Sequence, residues 1–521
     1  MAGPKSIFLY FKGKAEALHS TRRCLMMKTK IIILFFILLL LLHSFFTINS
    51  YAKPPYRPGD WKSYTVLRYV NCIEKDFNFI YFGTTGGVSR YDFFADKWVE
   101  PLTESDGLPD NRVEKIAYDP QRNELYFKTY SRVCSYTPAF QEFYYRSDFP
   151  YKLVHRDSAN FVFPSFFMEF GYSFFSEGYI TDLYLNRYKV TDYLFDEWGN
   201  LWIGTWGLNA GIASVRSLEL KMFKSGLYHE DVKAIVIDGD DLWFGGGNFF
   251  SRESGVTRYN RKDGEWDYFE SSNLQELIHR NVTCMEKDSQ YIWFGTSNGL
   301  LRFDKKKNRW RTYDSFKGLW DNEITALKSD EGKLWIGTRW GLNFYLAKRD
   351  SVARIKDQLI KGAYIYSIEK DSNFMWIGTD RGAFQLNKKS GEVIPFSIPE
   401  GILNQEVKAV YKYKDELWFG TRDAVVGIDL INRKRKIYQS PVNYPGTEVT
   451  KLVCDEKYLW VGTILGVWRL DKQKNIWKGF YKEDGLLDNN IQTLLLDGDY
   501  IWFGTERGAT RFYWNNPLRI D

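Results

Sequence analysis

The sequence predicts an all-β protein assembled from about eleven four-stranded units that repeat along the chain. Three observations predict this class: the string Leu-Trp-Ile-Gly-Thr recurs in close variants, its copies keep a near-constant interval, and long helical periodicity is absent. From Gly295 onward the interval between motif glycines is 41 or 42 residues. Only residues 349–361 have a pattern that suits a short helix. The nine motif glycines are Gly83, Gly204, Gly245, Gly295, Gly337, Gly378, Gly420, Gly462 and Gly504.

Two irregular intervals interrupt this period. The step of 50 residues from Gly245 to Gly295 is explained by a loop inserted before Gly255. The 121 residues between Gly83 and Gly204 leave room for two weaker copies, which we place around residues 125–129 and within 161–180.

Each unit divides into four short strands separated by turn signals, as residues 310–346 show. The strands are WRTY, EITALKSD, LWIGT and GLNFYL, and the turns are GLWDN, DEGK and RWG. Side chains alternate across a strand, so Trp335 and Gly337 face one side while Leu334 and Ile336 face the other. A sheet that is apolar on both sides needs a neighbour on both sides, which predicts the blades of a β-propeller. The motif glycine would leave room for a large ring, such as one from the next blade.

The two ends of the repeats predict how the propeller closes. The last copy supplies three strands, and the segment WKSYTVL from Trp61 supplies the missing outer strand. About eleven blades exceed the usual four to eight per ring, so we expect two rings rather than one large ring. The boundary between them is expected within 140–190 or near 250–275.

The amino terminus is typical of an export signal. Within the extension 1–52, Lys28 and Lys30 precede an apolar run over 31–42, which is followed by small residues at Ser50 and Ala52. We expect cleavage following Ala52 and export of the repeat region, 53–521, to the periplasm or outside the cell. The alternative is an uncleaved anchor over 31–48 in the inner membrane, since the run then approaches the length that spans a bilayer.

Charge and cysteine content exclude several functions. The net charge of +6 resides in residues 1–52, and the rest of the chain has equal numbers of acidic and basic residues. Nucleic acid is therefore not an expected partner, because binding to phosphates needs a basic surplus. Cys72 and Cys284 each precede a motif glycine by 11 residues, which indicates small buried side chains on inner strands rather than obligatory disulfides.

The residues give no sign of catalytic chemistry. His155, His229 and His279 occupy no repeated position and have no metal-ligand spacing, so neither a metal nor a cofactor is expected. The recurrent aspartates near turns, such as Asp304 and Asp471, are better explained as turn caps than as a catalytic pair.

A ligand site, if present, would lie on the face where two kinds of loop meet. These are the turns between the second and third strands and the links from each outer strand to the next inner strand. Aromatic, arginine and carboxylate side chains in such loops suit polar ligands, including sugars, although turn capping and rim packing explain many of them as well. The predicted binding residues are Trp206, Trp320, Arg339, Trp340, Asp380, Arg381, Arg422, Asp423, Glu506 and Arg507.

The repeat W-[IVF]-G-T-x-x-G-[LV]-x-x-[FY]-[DN], with GL-x-[DN]-N upstream, resembles the two-component regulator propeller repeat over nearly all of 61–513. The resemblance implies the extracytoplasmic sensor region of a hybrid histidine kinase, without the kinase part. Many such regions respond to carbohydrates and act through a membrane signalling protein.

Three functions follow as expectations. The first is a non-catalytic sensor or binding propeller, which would have a polar and aromatic pocket on the turn face. The second is a protein-interaction scaffold, which would have an exposed apolar patch. The third is a propeller lyase or glycosidase, which would need carboxylates, or a histidine with arginine or tyrosine, converging at a ring axis.

Overall fold

The computed structural model describes Tyr56 and residues 59–154, 178–182, 184–214, 216–247, 254–272 and 274–517, with the backbone of three short strands between 167 and 176. Apart from Tyr56 they belong to the unit Arg57–Asp521. The predicted signal, its cleavage site and the alternative anchor lie outside the described residues. Nowhere in the described ranges is there a helix long and apolar enough to cross a membrane.

The described residues form strands and single turns of 3-10 helix, with no α-helix among them, so the all-β prediction is confirmed. The 3-10 turns are Glu104–Asp106, Tyr151–Leu153, Gln275–Leu277, Ser315–Lys317, Ala347–Arg349, Ile402–Asn404 and Lys482–Asp484. The prediction of a helix over 349–361 is wrong. Its first part is the strand Ser351–Arg354, in which Val352 pairs with Tyr345, because pairing to the adjacent strand outweighs a weak local pattern.

The described strands form ten sheets, which we call blades 1 to 10 in chain order; nine have four strands and blade 3 has eight. An initial strand, β1 (Trp61–Tyr64), precedes blade 1. Blades 1 and 2 contain β2 (Val70–Lys75), β3 (Phe79–Thr84), β4 (Val88–Asp92), β5 (Lys97–Leu102), β6 (Val113–Asp119), β7 (Glu124–Thr129), β8 (Val133–Thr137) and β9 (Glu142–Arg146). Blade 3 contains β10 (Phe167–Met168), β11 (Gly171–Tyr172), β12 (Phe175–Ser176), β13 (Tyr179–Thr181), β14 (Arg187–Phe195), β15 (Asn200–Trp206), β16 (Ala210–Ser214) and β17 (Glu219–Met222).

The remaining blades follow the same plan. Blades 4 to 6 contain β18 (Val232–Asp238), β19 (Asp241–Gly246), β20 (Gly255–Asn260), β21 (Trp266–Glu270), β22 (Val282–Lys287), β23 (Tyr291–Thr296), β24 (Gly299–Asp304), β25 (Arg309–Tyr313), β26 (Ile324–Asp330), β27 (Lys333–Thr338), β28 (Gly341–Leu346) and β29 (Ser351–Arg354). Blades 7 to 9 contain β30 (Ile365–Lys370), β31 (Phe374–Thr379), β32 (Gly382–Asn387), β33 (Val393–Phe396), β34 (Val407–Tyr413), β35 (Glu416–Thr421), β36 (Ala424–Asp429), β37 (Arg435–Gln439), β38 (Val449–Cys454), β39 (Tyr458–Thr463), β40 (Gly466–Asp471) and β41 (Ile476–Phe480). Blade 10 contains β42 (Ile491–Asp497), β43 (Tyr500–Thr505) and β44 (Gly508–Tyr513), and β1.

The weaker copy predicted around residues 125–129 is β7 of blade 2. The copy predicted within 161–180 lies largely outside the described residues. Its described backbone pieces, β10 to β13, add to the sheet of blade 3 and do not form a separate four-stranded sheet.

Blades 4 to 10 form a closed ring of seven. The first strand of each blade is its inner strand; each contacts the inner strand of the next blade, and β42 contacts β18. The other three blades form a row in the order 3, 1, 2, since β14 contacts β2 and β2 contacts β6. One ring through all the blades is therefore excluded, as expected, while the second ring that we expected is represented among the described residues by this row of three blades.

Closure of the ring joins the two ends of the repeats, as predicted. β1 pairs with β44 as the outer strand of blade 10, with Trp61 opposite Phe512. The aromatic side chains of Trp61 and Phe512 stack, with ring centroids 4.1 Å apart.

At each motif glycine, the β-branched residue that begins the inner strand of a neighbouring blade packs directly against the glycine. A Cβ at Gly420 would lie 2.3 Å from Cγ1 of Val449, and one at Gly295 would lie 2.6 Å from Cγ2 of Ile324. The expectation that a large ring fills this space is wrong, because the inner strand lies so close that only a short branched side chain fits. The pairs are Gly245 with Val282, Gly295 with Ile324, Gly337 with Ile365, Gly378 with Val407, Gly420 with Val449, Gly462 with Ile491, Gly504 with Val232, Gly204 with Val70, and Gly83 with Val113.

The three-blade row is an insertion in the ring. The chain leaves the ring after β1 and returns before β18, so two crossing segments, 65–69 and 223–231, run between them. The segments contact each other: Val66 forms a bridge with Gly226, and the Leu227 N–H donates to the Thr65 carbonyl at 2.8 Å. Neither range expected for the boundary contains these crossings, because the repeat period marks blades and does not record which ring a blade joins.

Adding one methyl group at a motif glycine tests the packing between blades. Gly420→Ala places a Cβ against Val449, and we expect it to lower the free energy of unfolding by about 1 to 3 kcal/mol. Val449→Ala removes the obstructing atoms, so the double variant should lose less than the sum of the single losses. Denaturant unfolding measures all three, and additive losses would contradict the contact.

A buried histidine in the second crossing segment predicts acid sensitivity. Burial, with a smaller effect of the Arg68 charge, lowers the pKa of His229 to about 4, and its Nε2 has no hydrogen-bond partner. The unfolded histidine binds its proton at higher pH than the folded one. Stability should therefore fall by at most about 3 kcal/mol as the pH drops from 6.5 toward 4. Unfolding measured across this window should be less pH-dependent for His229→Leu and unchanged for the exposed control His279→Asn.

Candidate functional site at the mouth of the ring

The turns between the second and third strands lie at the same end of the ring as the links between blades, as predicted. Backbone bonds join the two kinds of loop: the Arg339 N–H donates to the Glu323 carbonyl at 3.1 Å, and the Asp380 N–H to the Tyr364 carbonyl at 3.2 Å. We call this end of the ring the turn face.

Nine of the ten predicted binding residues lie on the turn face. Trp206 is the exception: it ends β15 in the three-blade row, where its ring packs against Tyr69 at 5.1 Å between centroids. The structure therefore separates Trp206 from the other nine. Their role as binding residues stays a prediction.

Four of the nine occupy the first position of their turns, next to the start of an inner strand. Arg339 lies 3.6 Å from Glu323, and Oδ1 of Asp380 accepts from the Tyr364 N–H at 2.9 Å. Glu506 accepts from the side chain of Asn490 at 2.9 Å. The side chain of the fourth, Arg422, is exposed.

Other predicted residues hold the loops in place. The Arg381 guanidinium donates to the carbonyls of Lys361 and Gly362 at 3.3 and 2.8 Å. Trp320 donates from Nε1 to the Ile355 carbonyl at 3.1 Å, and Asp423 accepts from the hydroxyl of Thr421 at 3.3 Å.

Trp340 and Arg507 differ from these. The Trp340 indole is 55% exposed on the turn face and is open to a ligand or partner. Arg507 contacts the three-blade row, because its guanidinium lies 3.2 Å from Glu104, which also lies 3.0 Å from Lys482. Glu104 thus joins the row to blade 10.

The residues nearest the ring axis on this face escaped the sequence analysis. Each ring blade contributes two: the residue before its inner strand and the second residue of that strand. All are half-buried, whereas the valine or isoleucine between them is buried. We call these fourteen residues the mouth: Asp231, Lys233, Asn281, Thr283, Glu323, Thr325, Tyr364, Tyr366, Glu406, Lys408, Glu448, Thr450, Asn490 and Gln492.

Polar and aromatic contacts run from blade to blade around the mouth. The Tyr364 hydroxyl donates to Glu323 at 3.4 Å, and its ring packs on Tyr366 with centroids 4.5 Å apart. Further round, Lys408 pairs with Glu448 and lies 5.7 Å from the Tyr366 ring.

The same contacts cross the point of closure. Gln492 of blade 10 donates to Asp231 of blade 4, which also lies 3.0 Å from Lys233. The mouth is thus continuous where the ring closes.

The two tyrosines keep their protons at neutral pH. Burial, followed by the charge of Glu323, raises the pKa of Tyr364 to about 12. Burial and a hydrogen bond to Glu406 raise the pKa of Tyr366 further. Both hydroxyls are therefore donors, set among carboxylates that accept.

Below the mouth, charged residues on three consecutive inner strands face one another. Lys328 donates to Glu369, and its charge opposes the rise that burial causes in the pKa of Glu286. On the other side of the ring, burial lowers the pKa of Lys451.

One signal in the sequence could have revealed the mouth. The position before the inner strand reads Asp, Asn, Glu, Tyr, Glu, Glu and Asn from blade 4 to blade 10, while the next position is always valine or isoleucine. Variable polar residues beside a constant apolar one indicate a surface that packing does not determine.

Among the described residues, no group of three or more His, Cys, Asp or Glu side chains is placed to hold a metal ion. The four cysteines that the structure describes are free: Cys72, Cys134, Cys284 and Cys454. Cys72 and Cys284 lie on inner strands opposite motif glycines, as expected.

Several solved structures are similar to this chain. PorZ, an essential bacterial surface component of the type-IX secretion system of Porphyromonas gingivalis, matches with a TM-score of 0.61 and 13% identity over 87% of each chain. The chain is a β-propeller protein. The extracellular domain of a proposed hybrid two-component system of B. thetaiotaomicron is also similar, with a TM-score of 0.47 and 18% identity over 85% of this chain and 61% of that one. Virginiamycin B lyase of Staphylococcus aureus has a TM-score of 0.44 over 54% of this chain and 94% of that one.

Among curated proteins, a histidine kinase of Formosa agariphila is 26% identical over 197 residues. The match covers 34% of this chain and 14% of the relative, so the chain spans a small part of the relative's length. No family model matches the chain. The predicted resemblance to two-component regulators is confirmed by the partial match to this histidine kinase.

The Glu286, Lys328 and Glu369 group predicts a large effect of removing its cation. Lys328→Met leaves the carboxylates of Glu286 and Glu369 close together below the mouth, and we expect a loss of about 3 to 5 kcal/mol in the free energy of unfolding. Adding Glu369→Gln removes one uncompensated charge and should recover part of that loss. Denaturant titration of both variants checks this, and equal losses would contradict it.

Proposed function

We propose that the chain is an exported, non-catalytic binding propeller that senses a polar ligand at the mouth of its seven-bladed ring. The observation that carries this is the half-buried mouth itself, where protonated tyrosines, carboxylates and lysines surround one axis. Such residues offer donors, acceptors and aromatic faces together, which suits the hydroxyl groups and ring faces of a carbohydrate.

The signalling role is supported by the similarity to a histidine kinase and to an extracellular domain of a two-component system. We propose that the occupied propeller acts through a membrane signalling partner. Trp340, Arg339 and Arg422 are the exposed residues around the mouth through which a larger ligand would be held.

A second function, contact with a protein partner, is favoured by a different observation. Several apolar side chains on the loops of the turn face are exposed, including Phe316 at 98% and Val442 at 85%. Apolar side chains exposed to this extent are available to a partner, and interaction surfaces form where such side chains are contiguous. The two functions use different parts of one face, the mouth for the ligand and the loops for the partner.

A matched pair of tyrosine variants tests the ligand site. Tyr366→Phe removes a hydroxyl that donates to Glu406 at the mouth. Tyr438→Phe removes a hydroxyl on the outer strand of blade 8 that donates to Asn475 of blade 9. Neutral and acidic oligosaccharides are screened by thermal unfolding of the purified chain. A ligand at 100 times its Kd should stabilise it by about 2.7 kcal/mol.

We expect Tyr366→Phe to weaken the ligand found in this screen and Tyr438→Phe to leave its Kd unchanged, as measured by calorimetry. Equal effects of the two variants, or no stabilisation by any glycan, would argue against a carbohydrate site at the mouth. In that case, loss of partner co-purification in Phe316→Glu would favour the scaffold function.

A further inference from the structure

The far end of the ring, opposite the mouth, carries a repeated carboxylate with a repeated partner. In blades 5, 7 and 9 the turn after the inner strand contains an aspartate whose Oδ1 caps the turn by accepting two backbone N–H groups. Asp288 accepts from Gln290 and Tyr291, and Asp455 accepts from Lys457 and Tyr458, each at 2.7 to 2.8 Å. Oδ2 is then available for a second partner.

In blades 4 and 6 the aspartate at the equivalent position pairs with a lysine of the following blade. Lys305 of blade 5 lies 3.0 Å from Asp238 of blade 4, and Lys388 of blade 7 lies 2.9 Å from Asp330 of blade 6. Each lysine directly follows the third strand of its blade and also donates to the backbone of its own first turn.

Lys472 of blade 9 occupies the same lysine position, and it lies 2.6 Å from Glu416 of blade 8. In blades 5 and 7, where the following blade has no such lysine, the tryptophan of the motif takes its place. Trp293 donates to Asp288 at 2.7 Å, and Trp376 donates to Asp371 at 2.9 Å.

Blade 9 follows neither arrangement. Oδ2 of Asp455 is buried and accepts no hydrogen bond, and Nε1 of Trp460, the counterpart of Trp293, also has no partner. The lysine position of the following blade is occupied by Trp514, which comes directly after β44. The carboxylate at this position is paired in blades 4 to 7 and in blade 10, where Arg261 lies 2.7 Å from Asp497, whereas Oδ2 of Asp455 has no hydrogen-bond partner.

A cavity of about 490 Å³ lies at this carboxylate. Tyr411, Tyr413 and Trp514 give it aromatic walls, which suit an alkyl chain and the face of a cation. Its charged lining residues are Asp455, Glu456, Asp499 and Lys457. The acidic residues outnumber the single lysine, whose ammonium lies over the Tyr458 ring at 4.7 Å.

We propose that this cavity, which we call the amine pocket, binds a primary alkylammonium group at Asp455. The ammonium takes the place that Lys305 occupies at Asp238 and Lys388 at Asp330. Ammonium groups hold the equivalent place in two blades, and the Arg261 guanidinium holds it in blade 10, at 2.7 Å from Asp497. A single carboxylate oxygen thus suits either cation, and the compact ammonium is the smaller of the two. The aromatic walls hold the chain behind the nitrogen.

Calorimetric titration of the full chain with cadaverine, a five-carbon diamine, tests the pocket. We expect saturable binding that Asp455→Asn weakens about tenfold or more. Asp288→Asn is the matched control, because it makes the same change in blade 5, where Trp293 already occupies the carboxylate; it should leave binding unchanged. The uncharged diol of the same length should not bind.

Stability separates a binding defect from a folding defect. Asp288→Asn breaks the bond to Trp293 and should lower the melting temperature, whereas Asp455→Asn removes a buried charge that has no partner and should not lower it. Trp514→Lys places a lysine where blades 5, 7 and 9 have one. Its ammonium should pair with Asp455, and cadaverine should then no longer bind.

A peptide with one lysine side chain is titrated in parallel. Tighter binding of the peptide than of cadaverine indicates a protein ligand, and tighter binding of cadaverine indicates a free amine. No saturable binding of either probe, or equal weakening by Asp455→Asn and Asp288→Asn, would overturn the proposal. The amine pocket and the mouth lie at opposite ends of the inner strands, so failure of this test leaves the proposed function standing.

Discussion

The fit of a β-branched side chain against a motif glycine determines the architecture of this protein. Without a Cβ on the glycine, the inner strand of the next blade approaches closely enough for its first valine or isoleucine to fill the space. The same contact links blade 10 to blade 4 through Gly504 and Val232, which makes a ring of the seven blades. In blade 2 the corresponding residue is Lys128, and no contact of this kind continues the row beyond that blade among the described residues.

This contact also positions the mouth. It fixes the first residue of each inner strand, so the residues on either side of it point toward the axis in every blade. Packing does not determine their identity, and the sequence varies there from Asp231 to Tyr364 to Asn490 without altering the ring. A rigid frame of glycine and valine thus presents a variable polar surface, which is how a repeated fold acquires a specific site.

The parts of the structure that follow from local pattern could be predicted from the sequence. The period of the motif gives the blades, and the alternation of Leu334, Trp335 and Ile336 gives strands with two apolar faces. The outer strand missing after β44 gives closure through Trp61. The insertion of three blades could not be predicted, because a blade of the row and a blade of the ring have the same period; only the contacts of the crossing segments separate them. The mouth was missed for a related reason, since Tyr366 and Lys408 belong to different repeats and meet only when blades 7 and 8 pack side by side.

Because the blades repeat, residues at equivalent positions can be compared with one another. A residue that differs from its counterparts marks a place where packing alone does not explain its identity. Tyr366 stands where other ring blades have threonine, lysine or glutamine, and Trp514 stands where blades 5, 7 and 9 have lysine. These departures lie at opposite ends of one set of inner strands. β34 begins beside Lys408 and ends at Tyr413, and β38 begins after Glu448 and ends just before Asp455. The mouth and the amine pocket therefore lie at the two ends of the same strands, β34 and β38, in blades 8 and 9.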